Sequence, residues 1–245
     1  MTDSQAPGIS LRNAALANGV SLDRDQIDAL HRYRDEIVEQ NRRFNLVGTL
    51  DASEIERVLI LGSLDLISLI ETVGADPIRL IDVGTGAGVP GVPLKIALGR
   101  RVDVTLLDAN GKKVSFLSHV IGLVGDSIAG TVVVNARAED AGRAVEHREV
   151  YDYVTARAVG SVRMLAELCL PFARVGGVVL LPRGPNWEEE TKAASGAIAS
   201  VGGRLRPFDA AERETGIGST IILEKVAPTP PRFPRRVGLP GKRPL

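Results

Sequence analysis

The chain is poor in cysteine, histidine and aromatic residues: its 245 positions hold one cysteine, three histidines and 4% aromatic residues. The one cysteine, Cys169, excludes an internal disulfide bond and a metal site built from several cysteines. No uncharged apolar run approaches the roughly eighteen residues that a membrane-spanning helix needs. Residues 1–10 lack the basic and apolar regions of a signal peptide. We therefore expect a cytoplasmic protein with no metal site and no membrane span.

Net charge is also absent, because 30 basic residues balance 30 acidic ones. The balance is uneven along the chain. Residues 225–245 contain six basic residues and no acidic one, so the rest of the chain is anionic. A cationic arm on an anionic body is typical of a protein that contacts nucleic-acid phosphates. A solvated, proline-rich terminus has the same composition, and both interpretations stay open at this point.

The most informative segment is residues 80–91, where an apolar run ends at Asp82 and Gly84, Gly86 and Gly88 follow. Glycine has no Cβ and tolerates positive φ, so such a loop lets a ligand approach the backbone. A second strand-like run ends at Asp108, about twenty positions after Gly88. A carboxylate there suits the ribose diol of a cofactor that contains adenosine.

The glycines alone do not identify this cofactor, because Gly86, Gly88 and Gly91 also fit the dinucleotide fingerprint G-x-G-x-x-G. Pyrophosphate is normally bound by amide groups at a helix N-terminus. Pro90 removes one such donor, and Asp82 adds a negative charge beside the loop. Both features favour the cationic S-adenosylmethionine (SAM) over NAD or FAD.

Strand-like runs alternate with helix-length segments along the middle of the chain. This rhythm predicts an α/β fold with a doubly wound, mostly parallel sheet, preceded by a helical cap with an N-cap at Ser21. Two short runs near the end predict an antiparallel last strand. The runs lie at 79–83, 102–107, 131–135, 150–156, 177–182, 204–207 and 220–225. The predicted divisions are a flexible N-terminus (1–20), a helical cap (21–75), a SAM-dependent domain (76–226) and a basic, proline-rich tail (227–245).

Ligands of open α/β sheets bind at the carboxyl ends of the strands. Charged residues follow the strand-like runs, so we expect one crevice lined by Asp82, Asp108, Arg137, Arg157 and Arg183. RNA bases typically stack on aromatic rings. The few aromatic candidates for that contact are Phe44, Trp187 and Phe233.

An ordered series of motifs resembles the bacterial 16S ribosomal RNA guanine-N7 methyltransferase G family, also called glucose-inhibited division protein B. The trailing Pro-Gly-x-Pro-Leu of the glycine motif is more specific than its glycines. The similar segments are 41–46 (Asn-x-x-Phe-Asn-Leu), 82–94, 107–113, 136–140, 155–159 and 233–245.

The resemblance implies a class I, Rossmann-like SAM methyltransferase that modifies N7 of a guanine in 16S ribosomal RNA, with that RNA or the small ribosomal subunit as its partner. It implies that Gly84 and Val89 contact SAM, that Ala138 and Glu139 line the adenine side, and that Arg157 lies beside the methyl-donor end. The ribose argument adds Asp108.

Guanine N7 has a free lone pair, so its methylation needs no general base. The nitrogen becomes positive, which opposes a cation beside the base. We therefore interpret the two candidate catalytic residues, Arg137 and Arg157, as contacts to RNA phosphate or to the SAM carboxylate.

The chain departs from the family pattern at two places. Leu59 and Gly62 occupy the positions of the family's His and Asp, and Arg183-Gly184 replaces Lys-Gly. The alternatives are a SAM methyltransferase of this fold with another substrate, an NAD-dependent oxidoreductase, and a non-catalytic nucleic-acid-binding protein.

Overall fold

The computed structural model describes residues 11–70, 77–157, 160–183, 187–206 and 219–245. Within these ranges, seven strands form a single sheet in the order β3-β2-β1-β4-β5-β7-β6. The strands are β1 (Ile78–Val83), β2 (Val102–Asp108), β3 (Val132–Asn135), β4 (Tyr151–Thr155), β5 (Ala173–Arg183), β6 (Gly203–Leu205) and β7 (Ser219–Lys225).

The strands β1 to β5 pair in parallel, and β7 runs antiparallel between β5 and β6. This arrangement confirms the predicted fold class, with its doubly wound sheet and antiparallel last strand. The chain order changes direction at β1, which pairs with β2 on one side and β4 on the other. Position 207 of the predicted hairpin lies outside the described residues.

Helices cover both faces of the sheet. Successive residues of a strand point to opposite faces, so the apolar strands present side chains to the helices on each side. On β1, Leu80 belongs to a core shared with the N-terminal helices, while Ile81 belongs to a second core on the other face. The α-helices are α1 (Leu11–Ala17), α2 (Arg24–Asn41), α3 (Ala52–Glu54), α4 (Gly62–Leu64), α5 (Gly91–Leu98), α6 (Gly111–Val124), α7 (Ala138–Ala141), α8 (Val162–Cys169), α9 (Trp187–Ser200) and α10 (Leu239–Lys242).

The helical cap differs from its prediction at the start of α2. The N-cap is Asp23, whose side chain accepts from the amide of Gln26, while the Gln26 side chain accepts from the amide of Asp23. This reciprocal pair is a capping box. The predicted N-cap at Ser21 was therefore wrong by two residues, because a serine hydroxyl at that position is too early to reach the first free amides.

The second helical pattern, predicted for 53–72, forms a broken helix. It contains α3, a π-helix (Ile55–Leu61), α4 and a 3-10 helix (Asp65–Leu69). Residues 71 and 72 lie outside the described residues. A π-helix inside a helical run often accompanies a functional site, and this one faces the end of β4.

Part of the segment that we expected to be flexible is a helix. In α1, Leu11 and Ala15 are buried, and the amide of the Asn18 side chain donates to Asp65 at 2.7 Å. Burial of these two apolar residues in the core shared with the cap fixes this short helix on the body. Residues 1–10 lie outside the described residues, and the predicted division into four parts stays a prediction.

The basic tail, residues 227–245, packs onto the body rather than extending as an arm. Phe233 is buried, and the Arg148 guanidinium donates to the carbonyl oxygens of Gly142, Thr229 and Phe233. Lys225, at the start of the cationic segment, is buried against Glu149 at 2.9 Å. The exposed cations of the segment are Arg232, Arg236, Lys242 and Arg243.

A buried ion pair attaches the tail to α8. Glu167 is fully buried, and the Arg235 guanidinium donates to both of its carboxylate oxygens, the shortest contact being 2.6 Å. The Arg235 amide also donates to Glu167 at 2.7 Å.

Across the described residues, no helix has both the length and the apolar character required to cross a membrane.

We expect Arg235→Gln to lower the free energy of unfolding by about 3 kcal/mol, because it leaves a buried carboxylate without its cation. The matched control is Arg236→Gln, since Arg236 is the exposed neighbour of Arg235. Urea unfolding of both variants measures the difference. Equal stabilities for the two variants would show that the ion pair does not anchor the tail.

Candidate cofactor site

The loop after β1 turns through three glycines with positive φ: Gly84 at 69°, Gly86 at 61° and Gly88 at 97°. The amides of Gly84 and Thr85 donate to the carbonyl oxygen of Leu107, at 2.8 and 3.1 Å, which joins the loop to β2. A Cβ on Gly88 would lie 2.6 Å from the Val92 side chain. The sequence uses glycine here for conformation and for close packing alike.

Asp82 lies beneath this loop and is fully buried. Its Oδ2 accepts from the Thr85 hydroxyl at 2.6 Å and from the Gly91 amide at 2.9 Å, and its Oδ1 accepts from the Thr155 hydroxyl at 3.2 Å. Burial raises the pKa of this carboxyl to about 6, although the three hydrogen bonds oppose the shift. Asp82 therefore connects the loop, the start of α5 and the end of β4.

This position corrects the expectation that Asp82 faces a cationic ligand. Its carboxylate is enclosed by protein donors instead of lying on the wall of the cavity beside it. The sequence places an acid at the end of a strand, but it does not show that the loop folds back over that acid.

A cavity of about 280 Å³ opens above the ends of β1 and β2. It brings together four of the six residues predicted to bind the cofactor, together with Arg137. The residues of its wall that matter here are Gly84, Asp108, Arg137, Ala138, Glu139 and Lys113. Leu107, Met164 and Leu168 supply an apolar part of the wall.

Backbone contacts hold the Asp108 carboxylate in place. Its Oδ2 accepts from the Gly86 amide at 2.9 Å, and its Oδ1 accepts from the Asn110 amide at 2.8 Å. The Asn135 side chain donates to the Asp108 carbonyl oxygen at 3.0 Å. Each carboxylate oxygen retains a lone pair, so both stay able to accept from a diol.

The tail contacts two residues of the cavity wall, Glu139 and Met164. Glu139 is buried, and its Oε1 accepts from the Gly238 amide at 2.8 Å. Gly241, three residues later, lies against Met164. Sequence reasoning missed this contact, because nothing in the local pattern around Gly238 indicates a partner 99 positions earlier.

Two other predicted residues lie outside this wall. Val89 is buried, and its amide donates to Thr85 within the loop. Arg157 follows β4 and donates to the carbonyl oxygen of Val58 in the π-helix at 2.9 Å. Partial burial lowers the pKa of Arg157, whereas Asp82 counteracts this effect.

The expected crevice of five charged residues is thus divided. Asp108 and Arg137 line the cavity, Asp82 lies beneath it, and Arg157 joins the sheet to the cap. Arg183 donates to the carbonyl oxygen of Gly160 at 2.6 Å, and its Nε is buried with no hydrogen-bond partner among the described residues.

Comparison with known proteins decides the family. The family model described as rRNA small subunit methyltransferase G matches residues 26–215, which is more than half of the chain. A protein of that name from Roseiflexus castenholzii is 41% identical over 96% of this chain and 98% of its own length. Another from Symbiobacterium thermophilum is 43% identical, over 93% of each chain.

The chain belongs to the rRNA small subunit methyltransferase G family. This finding confirms the resemblance, the enzyme class and the predicted cofactor, SAM. Solved structures agree on the fold. Aeropyrum pernix fibrillarin, solved with SAM, has a TM-score of 0.50 and 15% identity over 66% of this chain and 73% of that one. A Corynebacterium glutamicum protein has a TM-score of 0.52 and 16% identity over 86% and 94%.

The loop also explains why a methyltransferase G chain does not favour a dinucleotide. Protein acceptors already bind the amides of Gly86, Gly88, Val89 and Gly91. Pro90, between them, has no amide hydrogen. A pyrophosphate group would therefore find few free donors at the start of α5, where the dinucleotide fingerprint needs them.

The first departure from the family pattern lies in the cap, and neither Leu59 nor Gly62 lines the cavity. Leu59 is partly buried against the cap core, and its carbonyl oxygen accepts from the Ser63 hydroxyl. Gly62 begins α4 directly after the π-helix. Position 184 of the second departure lies outside the described residues, as does the side chain of Trp187.

We expect protein stability to depend on the ionisation of Asp82. The folded pKa of Asp82, about 6, lies above the ordinary value of 3.8. The neutral carboxyl therefore contributes stability that is full below about pH 4 and is lost as the pH rises through 6. Relative to Asp82→Asn, the wild-type free energy of unfolding should fall by on the order of 3 kcal/mol between pH 4 and 7.

Urea unfolding across this pH range measures the effect. Asp126→Asn is the control, because Asp126 is exposed. Parallel curves of unfolding free energy against pH for the wild type and Asp82→Asn would contradict a raised pKa for Asp82.

Proposed function

We propose that this chain transfers the methyl group of SAM to N7 of a guanine in 16S ribosomal RNA, presented as free RNA or within the small ribosomal subunit. The family supports the enzyme class and the kind of RNA. The observation that supports the SAM site is that one cavity at the carboxyl edge of the sheet is lined by Gly84, Asp108, Ala138 and Glu139.

The donor set of the cavity fits an adenosine. Asp108 presents a fixed carboxylate for the two ribose hydroxyls, and Gly84 leaves room for close approach to the backbone. The Gly238 amide occupies Oε1 of Glu139, which leaves Oε2 to accept from the adenine amino group. The apolar wall of Leu107, Met164 and Leu168 suits the faces of the base. In this proposal Val89 shapes the loop from within.

When bound, SAM supplies an electrophilic methyl group on a sulfonium. The protein then has to hold guanine N7 in line with that group and to exclude water, since N7 attacks with its own lone pair. Catalysis by positioning therefore needs no general base. Arg157 follows β4, and its charge interacts with that of Asp82. We assign it to the methionine carboxylate.

Arg137 is exposed at the rim of the cavity, and no carboxylate pairs with it among the described residues. A cation in that position fits an RNA phosphate. The exposed cations of the tail extend the same surface, because Gly238 contacts the cavity wall through Glu139. We assign Arg137, Arg236, Lys242 and Arg243 to the RNA backbone.

The decisive experiment is direct mapping of N7-methylguanine in 16S ribosomal RNA from cells with and without this protein. Purified protein and SAM should restore the modification to small subunits or to protein-free RNA from the deficient cells. Methylation of another atom, or none on either substrate, would overturn the proposal.

We expect Asp108→Ala to weaken SAM binding roughly 10- to 100-fold, which is the loss expected for hydrogen bonds to a charged group. Asp103→Ala is the matched control, because Asp103 is an exposed acid on the same strand. Calorimetry with SAM measures both affinities. An unchanged SAM affinity in Asp108→Ala would show that Asp108 does not bind the ribose.

We expect the triple variant Arg236→Gln, Lys242→Gln, Arg243→Gln to bind 16S ribosomal RNA more weakly and with a flatter salt dependence. Each lost phosphate contact reduces the slope by about one. These side chains are exposed, so the docked tail stays in place, whereas deletion of residues 228–245 would uncover Glu167. Arg100→Gln, an exposed cation that precedes β2, is the control. Wild-type binding at all salt concentrations would exclude the tail from the interface.

A further inference from the structure

A second cavity, of about 320 Å³, lies between the end of α2 and the first turns of α6. We call it the α2–α6 groove, and its lining residues are Gln40, Phe44, Lys112, Ser115, Phe116 and His119. It is separate from the cofactor cavity but adjoins it across the first turn of α6. Lys112 lines the groove, whereas the next residue, Lys113, lines the cofactor cavity.

Packing of the cap places the groove at the active edge of the sheet. Near the start of α2, Gln26 donates to the carbonyl oxygens of Ile96 and Ala97, at the end of α5. Farther along α2, the Tyr33 hydroxyl donates to Ala87, which precedes α5. The two helices are therefore antiparallel, and the last turn of α2 lies toward the carboxyl ends of the strands, where substrates bind.

The loop that carries Phe44 is fixed by Asn41. The Asn41 side chain accepts from the amides of Leu46 and Val47 and donates to the carbonyl oxygens of Val47 and Thr49. The asparagine of the family motif is thus a structural residue. It holds the half-buried Phe44 ring against the cap core, with one side toward the groove.

The groove offers an aromatic surface together with polar groups that have unused capacity. The Ser115 hydroxyl donates to Gly111, and the Gln40 amide donates to Glu36, which leaves an acceptor oxygen on each. His119 lies 3.2 Å from Glu36. No carboxylate pairs with the exposed Lys112 among the described residues. A ring, neutral hydrogen-bonding groups and a free cation are the features that bind one nucleotide of single-stranded RNA.

We propose that the α2–α6 groove binds one nucleotide of the substrate RNA that flanks the target guanine, with its base stacked on Phe44 and its phosphate contacted by Lys112. The RNA identity rests on the proposed function. The inference adds a second binding site, because a base held here is positioned across α6 from the cofactor and would direct the neighbouring nucleotide toward it.

The test compares Phe44→Leu, which removes the ring but keeps an apolar side chain, with Phe44→Tyr, which keeps the ring. Lys112→Gln removes the cation, and Lys192→Gln, an exposed lysine of α9, is its control. Binding of protein-free 16S ribosomal RNA is measured by filter retention, and SAM affinity by calorimetry. We expect Phe44→Leu to weaken RNA binding about 5- to 100-fold, the range for loss of one stacked base. Lys112→Gln should weaken it as well and reduce the slope of its salt dependence by about one, because one phosphate contact is lost.

Phe44→Tyr and Lys192→Gln should bind RNA as the wild type does, and SAM affinity should be unchanged in all four variants. If Phe44→Leu has a lower melting temperature, Lys112→Gln decides, because its side chain is exposed. Wild-type RNA affinity in both Phe44→Leu and Lys112→Gln would overturn the proposal that the α2–α6 groove binds RNA, and it would leave the proposed function intact.

Two further outcomes identify other causes. A defect seen with small subunits but not with protein-free RNA would mean that a ribosomal protein occupies the groove, and the proposal would be wrong. A wild-type protein that binds the RNA but leaves guanine N7 unmethylated would overturn the proposed function alone, and weaker RNA binding by Phe44→Leu would still support the groove.

Discussion

The buried carboxylate of Asp82 is the interaction on which the cofactor site depends. It accepts hydrogen bonds from the loop, from the first residue of α5 and from β4, so three elements meet at one side chain. A buried acceptor of this kind is costly unless its partners are all in place. The glycine loop can therefore adopt few other shapes, and its amides point inward to protein acceptors instead of outward to an anionic ligand.

The tail adds a second constraint on the same site. Lys225 and Arg235 belong to the basic C-terminal segment, yet each pairs with a carboxylate inside the protein. Arg148, from the body, donates to a carbonyl oxygen of the tail. Composition alone counts them with the exposed arginines. The cations of the tail that stay exposed are Arg232, Arg236, Lys242 and Arg243, of which the last two lie at the end of α10.

Much of the fold was predictable because buried parallel strands have nearly continuous apolar sequences. The positions of the glycine loop and Asp108 were predicted from the strand ends, where ligands bind, whereas Glu139 was predicted from the resemblance to the family. The structure brings Gly84, Asp108 and Glu139 to one cavity. The sequence did not predict the roles of Asp82 and Asn41, because an acid or an amide has the same appearance whether it faces a ligand or the backbone. Contacts such as that between Arg235 and Glu167 depend on packing between segments 68 positions apart.

The hydrogen bond from the Gly238 amide to Glu139 connects the tail to a residue of the cavity wall. Binding free energies are reciprocal between linked sites. The free energy that docking of the tail adds to nucleoside binding therefore equals the free energy by which a bound nucleoside stabilises the docked tail. If SAM binds in this cavity as proposed, the protein that is saturated with SAM holds the tail more firmly than the empty protein does.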